Sequence, residues 1–157
     1  MKRFPLLISS VMLAGLAVFS GCSGSESKAM QILKQNEKKW AEQSKLFNQN
    51  YTYTMRIGCF CPQDITSPVN VLVMSGKTDS VVYQRDGTPA TNEVFASVDT
   101  IEDLFTIIRK AIVDKADELN VEYDPILGYP SSISIDPIKT AIDEERGYTV
   151  MDFAILK

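Results

Sequence analysis

Two cysteines one residue apart, Cys59-Phe60-Cys61, are the pair best placed for thiol chemistry, and Gly58 and Pro62 flank them. In an exported protein such cysteines usually pair. Alternate residues of an extended strand hold their Cβ atoms farther apart than the roughly 3.8 Å a disulfide needs. Pairing therefore demands a bend, which the flanking glycine and proline permit. A ring this small stabilises the fold by only about 1–2 kcal/mol in chain-entropy terms. The alternatives are buried or free thiols, or a redox or metal-binding pair. A redox pair needs a thiolate kept reactive by a cation or a helix N-terminus, and only Arg56 lies close in sequence. A metal site would be two ligands short.

The second constellation is Tyr123-Asp124-Pro125-Ile126-Leu127-Gly128-Tyr129-Pro130, followed by Asp136 and the acidic turn Asp143-Glu144-Glu145. Asp124-Pro125 starts a turn whose carboxylate can accept backbone N–H bonds two residues on, and Gly128 can take a positive φ. The loop reads either as a strand connection with Tyr123 and Tyr129 as lids on the core, or as a binding tip with Tyr129 as aromatic contact and Asp124 as polar anchor. Oxygen-only ligation by Asp124, Asp136, Asp143, Glu144 and Glu145 would suit calcium, but no D-x-D-x-D-G run is present. Paired carboxylates for glycoside hydrolysis would need a sugar cleft that a small domain with short loops offers little room for. The chain contains no histidine, which removes Ser-His-Asp and Cys-His catalysis and most zinc sites. No cofactor is expected, and the balance leans away from an enzyme.

A third cysteine has another chemistry. Met1, Lys2 and Arg3 precede an apolar run from Leu6 to Phe19, too short for the roughly 20 residues that cross a bilayer. Basic start, short apolar core and small residues before a cut describe a secretory signal peptide. Phe19-Ser20-Gly21-Cys22 resembles a bacterial lipobox, with phenylalanine where leucine is usual. The expectation is a leader at 1–21, a lipidated Cys22 and a tether through residue 28. An ordinary secretory cut would instead leave a free thiol, a liability outside the cell. Two or three acyl chains anchor firmly where one holds marginally, and the tether spans on the order of 13 Å as a coil. Ser23 after the cysteine favours the outer membrane where the host has two.

Removing the leader takes two basic residues and leaves 14 basic against 20 acidic side chains, a net charge of −6. Nucleic acid is therefore a poor partner. The partners expected are the membrane, through the N-terminal lipid, and an unidentified envelope protein or ligand. The 136 residues that remain suit a tether and one domain, 29–157, burying roughly two thirds of its unfolded surface.

The elements that must position these groups follow from periodicity. A helix is expected over Ala29 to Asn48, with Ile32, Leu33, Trp40 and Phe47 inward and Trp40 in the core. Tyr51, Tyr53, Met55, Ile57, Cys59 and Cys61 alternate as a half-buried strand. Val69 to Ser75 and Ser80 to Arg85 form a hairpin. Asp99 is the expected cap of a helix with Glu102 at its third position, whose stripe runs from Ile101 through Leu104, Phe105, Ile108, Ile112 and Ala116 to Leu119. Strands at Val121 to Asp124, Ser132 to Asp136 and Tyr148 to Leu156 complete the order α-β-β-β-α-β-β-β. This predicts an α+β domain, an antiparallel sheet of about six strands with two helices on one face, and hints at a duplication.

Tryptophan on a first helix, Y-x-Y leading to C-x-C, D-x-I-x-x-L-F, Y-D-P-x-x-G-Y-P, I-x-I-D and an acidic turn before a last strand recur together here. Over Trp40 to Phe153 the chain resembles the domain of unknown function 6174, a family of bacterial exported and lipid-anchored proteins. The resemblance implies an envelope address and brings no activity or catalytic residues.

Taken together, the sequence leads to a membrane-anchored envelope lipoprotein, a non-enzymatic binding or accessory module. A thiol-disulfide protein using Cys59 and Cys61 is the alternative, and a calcium-binding module the second.

Overall fold

The computed structural model describes residues 26–157. The expected leader, Cys22 and most of the expected tether lie outside the described residues.

Helix α1 spans Lys28–Gln43 and starts at Ser27, whose hydroxyl accepts from the Met30 N–H at 3.2 Å. Leu33 and Trp40, seven residues apart and so on one face, are its buried residues. Ile32, expected inside, is partly exposed. The expected single helix to Asn48 is also corrected: after Gln43 the chain tightens into a 3-10 turn, Ser44–Phe47. That turn brings the Phe47 ring edge-on to Trp40 and Tyr51, and Asn48 closes it with φ 53°.

Six antiparallel strands follow: β1 Tyr51–Gly58, β2 Val69–Met74, β3 Lys77–Tyr83, β4 Glu118–Tyr123, β5 Pro130–Asp136 and β6 Arg146–Ile155. A short helix, α2 (Gln63–Thr66), sits between β1 and β2, and α3 (Ile101–Val113) lies between β3 and β4. The spatial order is β3-β2-β1-β6-β5-β4. Each helix-plus-three-strand half contributes its strands in the same left-to-right sequence, and β1 pairs with β6 to join them. The two halves are thus laid down as a repeat of one arrangement.

Alternation decides what is buried. Tyr51, Tyr53, Met55 and Ile57 of β1, Val69, Val71 and Val73 of β2, Ile133 and Ile135 of β5, and Tyr148 and Val150 of β6 form the inner face. Both long helices cover that face, since Tyr51 meets Trp40 of α1 at 5.3 Å between ring centroids and accepts the Ile101 N–H at the start of α3. The other face, with Thr52, Arg56, Asn70 and Thr149, is left uncovered, as an antiparallel sheet allows. The α+β fold expected from the sequence is the one found.

Some boundaries move for identifiable reasons. Thr100, not Asp99, caps α3, in a capping box with Asp103, so Asp103 rather than Glu102 is its third residue. The helix stops at Val113, and Lys115 turns the chain with φ 58°. Leu119, in phase with the helical stripe, pairs instead with Ile135 across β4 and β5. β3 begins at Lys77 rather than Ser80 because Ser75 and Gly76, both at positive φ, make a two-residue turn directly after β2. Among the described residues no helix is long and apolar enough to cross a membrane.

Candidate functional site

The cysteine pair and the acidic turn, far apart in sequence, meet in one cleft. β1 ends at Gly58, and the next residues bend so that the Cα atoms of Cys59 and Cys61 are 5.2 Å apart and the two are disulfide-bonded. The strand alternation read through Cys61 thus ends three residues earlier. Cys59 is half-buried, Cys61 exposed, and Phe60 between them stands 83% exposed. α3 and its C-cap supply Ile107, Lys110, Ala111 and Asp114 to the facing wall, β5 and β6 supply Ile135 and Tyr148 as floor, and Asp143, Glu144, Glu145 and Arg146 form the remaining rim. The volume is about 590 Å³, within the range of small-molecule and peptide-side-chain sites. Lys110 pairs with Asp114 one helical turn on, at 2.5 Å, so much of its charge is answered within the rim.

Chemically, the cleft offers an apolar floor, carboxylates in excess at the mouth and one disulfide. Arg56, the cation nearest the cysteines in sequence, lies on the uncovered face of β1.

The Tyr123–Pro130 loop lies at the other end of β5 from Ile135 and the cleft. Asp124 Oδ1 accepts from the Ile126 and Leu127 N–H groups at 2.9 and 2.6 Å, and the Gly128 N–H donates to the Asp124 carbonyl at 3.0 Å. Tyr129 stacks on Phe153 at 4.6 Å and meets Trp40 edge-on at 6.1 Å, while Tyr123 stacks on Phe105. Burial raises the phenol pKa of Tyr129, and burial, then the nearby Glu37 charge, pushes that of Tyr123 up to about 12. Lys39 donates to the Pro125 carbonyl at 3.0 Å. The loop is a strap drawn over α1, and its two tyrosines and Asp124 are engaged internally.

The acidic residues do not gather around one point. Among the described residues no three His, Cys, Asp or Glu side chains come together to hold a metal ion, and Asp124 is separated from Asp136 by the length of β5.

Polar contacts that sequence alone did not disclose knit the other end. Trp40 Nε1 donates to Glu102 Oε1 at 2.8 Å, and the Tyr51 hydroxyl lies 3.5 Å from Glu102 Oε2. Burial, then the Glu102 charge, drives the Tyr51 phenol well above its ordinary pKa. Midway along the helix layer, Arg109 of α3 forms an ion pair with Glu37 of α1. The Tyr53 hydroxyl is buried with no hydrogen-bond partner among the described residues.

A sequence model of one protein family matches residues 32–155, the greater part of the chain. The chain belongs to that family, DUF6174, whose function is unknown. No curated protein and no solved structure matches it. Within this DUF6174 domain the Y-x-Y residues Tyr51 and Tyr53 are core, the Y-D-P-x-x-G-Y-P segment is the strap, and C-x-C lies at the cleft. The cysteine pair and the acidic turn were the visible signals for the cleft, though not for their meeting. Lys110, Ala111 and Arg146 carried none, because only the fold brings them to residues 59–61.

Proposed function

We propose that this DUF6174 protein is a lipid-anchored lipoprotein of the bacterial envelope that acts as a non-enzymatic binding module, and that the cleft between the disulfide loop and the acidic turn is where it binds. The reading is carried by the cleft itself: it joins two chain segments singled out by their chemistry and displays Phe60 beside an apolar floor. The lipobox-like Phe19-Ser20-Gly21-Cys22 supports the address. The partner is an envelope protein or ligand, and nucleic acid does not suit the acidic surface.

A photo-crosslinking residue at Phe60, compared with one at Leu46, tests the site in intact cells, with Cys22→Ser as the control for mislocalisation. A defined adduct from position 60 that Ile107→Arg abolishes is the expected result. Equal labelling from both positions would remove the cleft as the site.

The exposure of Cys61 favours one second reading, thiol-disulfide exchange. A partner thiolate would attack one sulfur of the pair, the other leaving as thiolate, and the resulting mixed disulfide would resolve to oxidise a partner dithiol. A reduction potential well below about −300 mV, that of an inert bridge, would dismiss it.

A further inference from the structure

The end of the molecule at which the chain comes in from the tether carries uncovered apolar side chains. α1 and α3 run antiparallel: Trp40, late in α1, bonds Glu102 at the start of α3, whereas Met30, early in α1, touches Arg109 toward the end of α3. Ser27 therefore lies at the same end of the helix layer as Val113 and Asp114, where the cleft opens. There Phe60, Ile142 and Val113 are 83%, 84% and 64% exposed. Phe60 lines the cleft, and the other two adjoin its Asp143 and Asp114.

The geometry points to a phospholipid bilayer as the occupant of this end: the domain seats itself on the membrane with Val113 and Ile142 entering the boundary between headgroups and acyl chains, which leaves Phe60 at the mouth of the cleft for its partner. This rests on the anchoring of Cys22 proposed above. The five residues from Ser23 to Ser27 reach at most about 18 Å when fully extended, whereas α1, 16 residues, is about 24 Å long. The start of α1 is therefore held near the bilayer, and the opposite end, with Leu46 and Ile126, cannot be presented to it with α1 upright. Charge selects the lipid. The cleft lining sets Asp114, Asp143, Glu144 and Glu145 against Lys110 and Arg146, an excess of negative charge that fits a zwitterionic surface and is repelled by an anionic one. The binding cleft then opens at the membrane surface.

The experiment couples the chain from Cys22 onward, which contains every described element, to a maleimide lipid in phosphatidylcholine vesicles. Cys59 and Cys61 do not compete, being joined in the disulfide. I142W and L46W are the reporters, over a background of Trp40 that is 2% exposed and out of reach of lipid. Phosphatidylcholine brominated on its acyl chains is expected to quench I142W emission roughly twofold more than L46W, as a residue at the headgroup boundary should be. V113W, expected to behave as I142W, takes its place if that variant loses the native circular dichroism spectrum. Quenching of I142W or V113W no greater than that of L46W overturns the proposal. Chemical coupling makes this result independent of lipidation in the cell, which mass spectrometry of the native N-terminus decides separately.

Discussion

Three glycines at positive φ form a series that isolates the contact between the strap and α1. Gly87 has φ +71° and open space where a Cβ would stand; Gly76 has the same φ, with the end of the Gln49 side chain 2.8 Å from that position. Gly128 has φ +84°, and its Cβ would lie 2.9 Å from the Asn36 backbone carbonyl and 3.0 Å from the Lys39 side chain. Alanine at Gly87 suffers the left-handed conformation, about 1–2 kcal/mol, partly offset by about 0.4–1 kcal/mol from a stiffer unfolded chain. The net loss is about 0.5–1 kcal/mol. Gly76→Ala should cost nearly the same, because Gln49 can swing its amide away. Gly128→Ala cannot be relieved so simply, since Asn36 O belongs to a helix backbone. Overpacking adds about 1–3 kcal/mol, for a total of about 2–4. For a domain of this size 1 kcal/mol moves Tm by roughly 3–5 °C, so the three variants should fall into two well-separated groups. Urea unfolding followed by Trp40 fluorescence and by circular dichroism reads the difference, with unchanged m-values as the check on two-state behaviour. A Gly128→Ala loss no larger than that of Gly87→Ala would refute the packing of the strap on α1.

Glu102→Ala strands the buried Trp40 indole N–H and should cost about 1–3 kcal/mol; Glu102→Gln, which keeps an acceptor, should recover most of it in the same urea assay. Tyr53→Phe deletes a buried hydroxyl without a partner and should be neutral or stabilising by up to about 1 kcal/mol, so a marked loss of Tm would reveal a bond the structure does not contain. Alkali should unfold the domain through its tyrosines. Tyr123, at about 12 when folded against the ordinary 10.0, and Tyr51, Tyr53 and Tyr129, raised in the same direction, hold their protons more tightly in the folded state. Their contribution is complete below pH 10 and is lost as pH rises from 10 through 12. Tyrosinate absorbance from more than two of the six tyrosines near pH 10, with no loss of stability, would contradict this.

The kinds of element were legible because their periods are unmistakable: Tyr51 to Ile57 alternate, and Ile101 to Ile108 follow a helical stripe. Boundaries were not, where two signals coincided. Ala116 and Leu119 continue the helical phase by accident of spacing, and the stop at Lys115 is a left-handed residue that is not glycine. Asp99 and Thr100 are both good caps, and only the reciprocal bond from Asp103 chooses between them. The strap was legible as a turn, through Asp124 and Gly128, but its seat against Asn36 and Lys39 was not. The cleft was the least legible, since residues 59–61, 107–114 and 143–148 share no local pattern; the β1 to β6 pairing brings the ends of two halves together.

That pairing also divides the molecule into a fastened end and a displaying end. At the first, Trp40, Phe47, Tyr51, Tyr129 and Phe153 pack ring against ring, and the strap and Glu102 tie strands to helices. At the second, the helix layer gives way to the cleft, and the disulfide closes a ring with a sequence separation of only 2. Constraining so few residues contributes about 1–2 kcal/mol, less than Gly128→Ala should remove, so the bridge cannot be what holds the domain together. Its effect is local, fixing the bend that presents Phe60. The double change Cys59→Ser and Cys61→Ser should therefore lower Tm by no more than roughly 3–10 °C. It should also raise hydrogen exchange at residues 58–62 while leaving the Trp40 end protected. Loss of protection spreading to Tyr51 and Leu104 would show instead that the bridge supports the whole core, and that the two ends are not energetically separate.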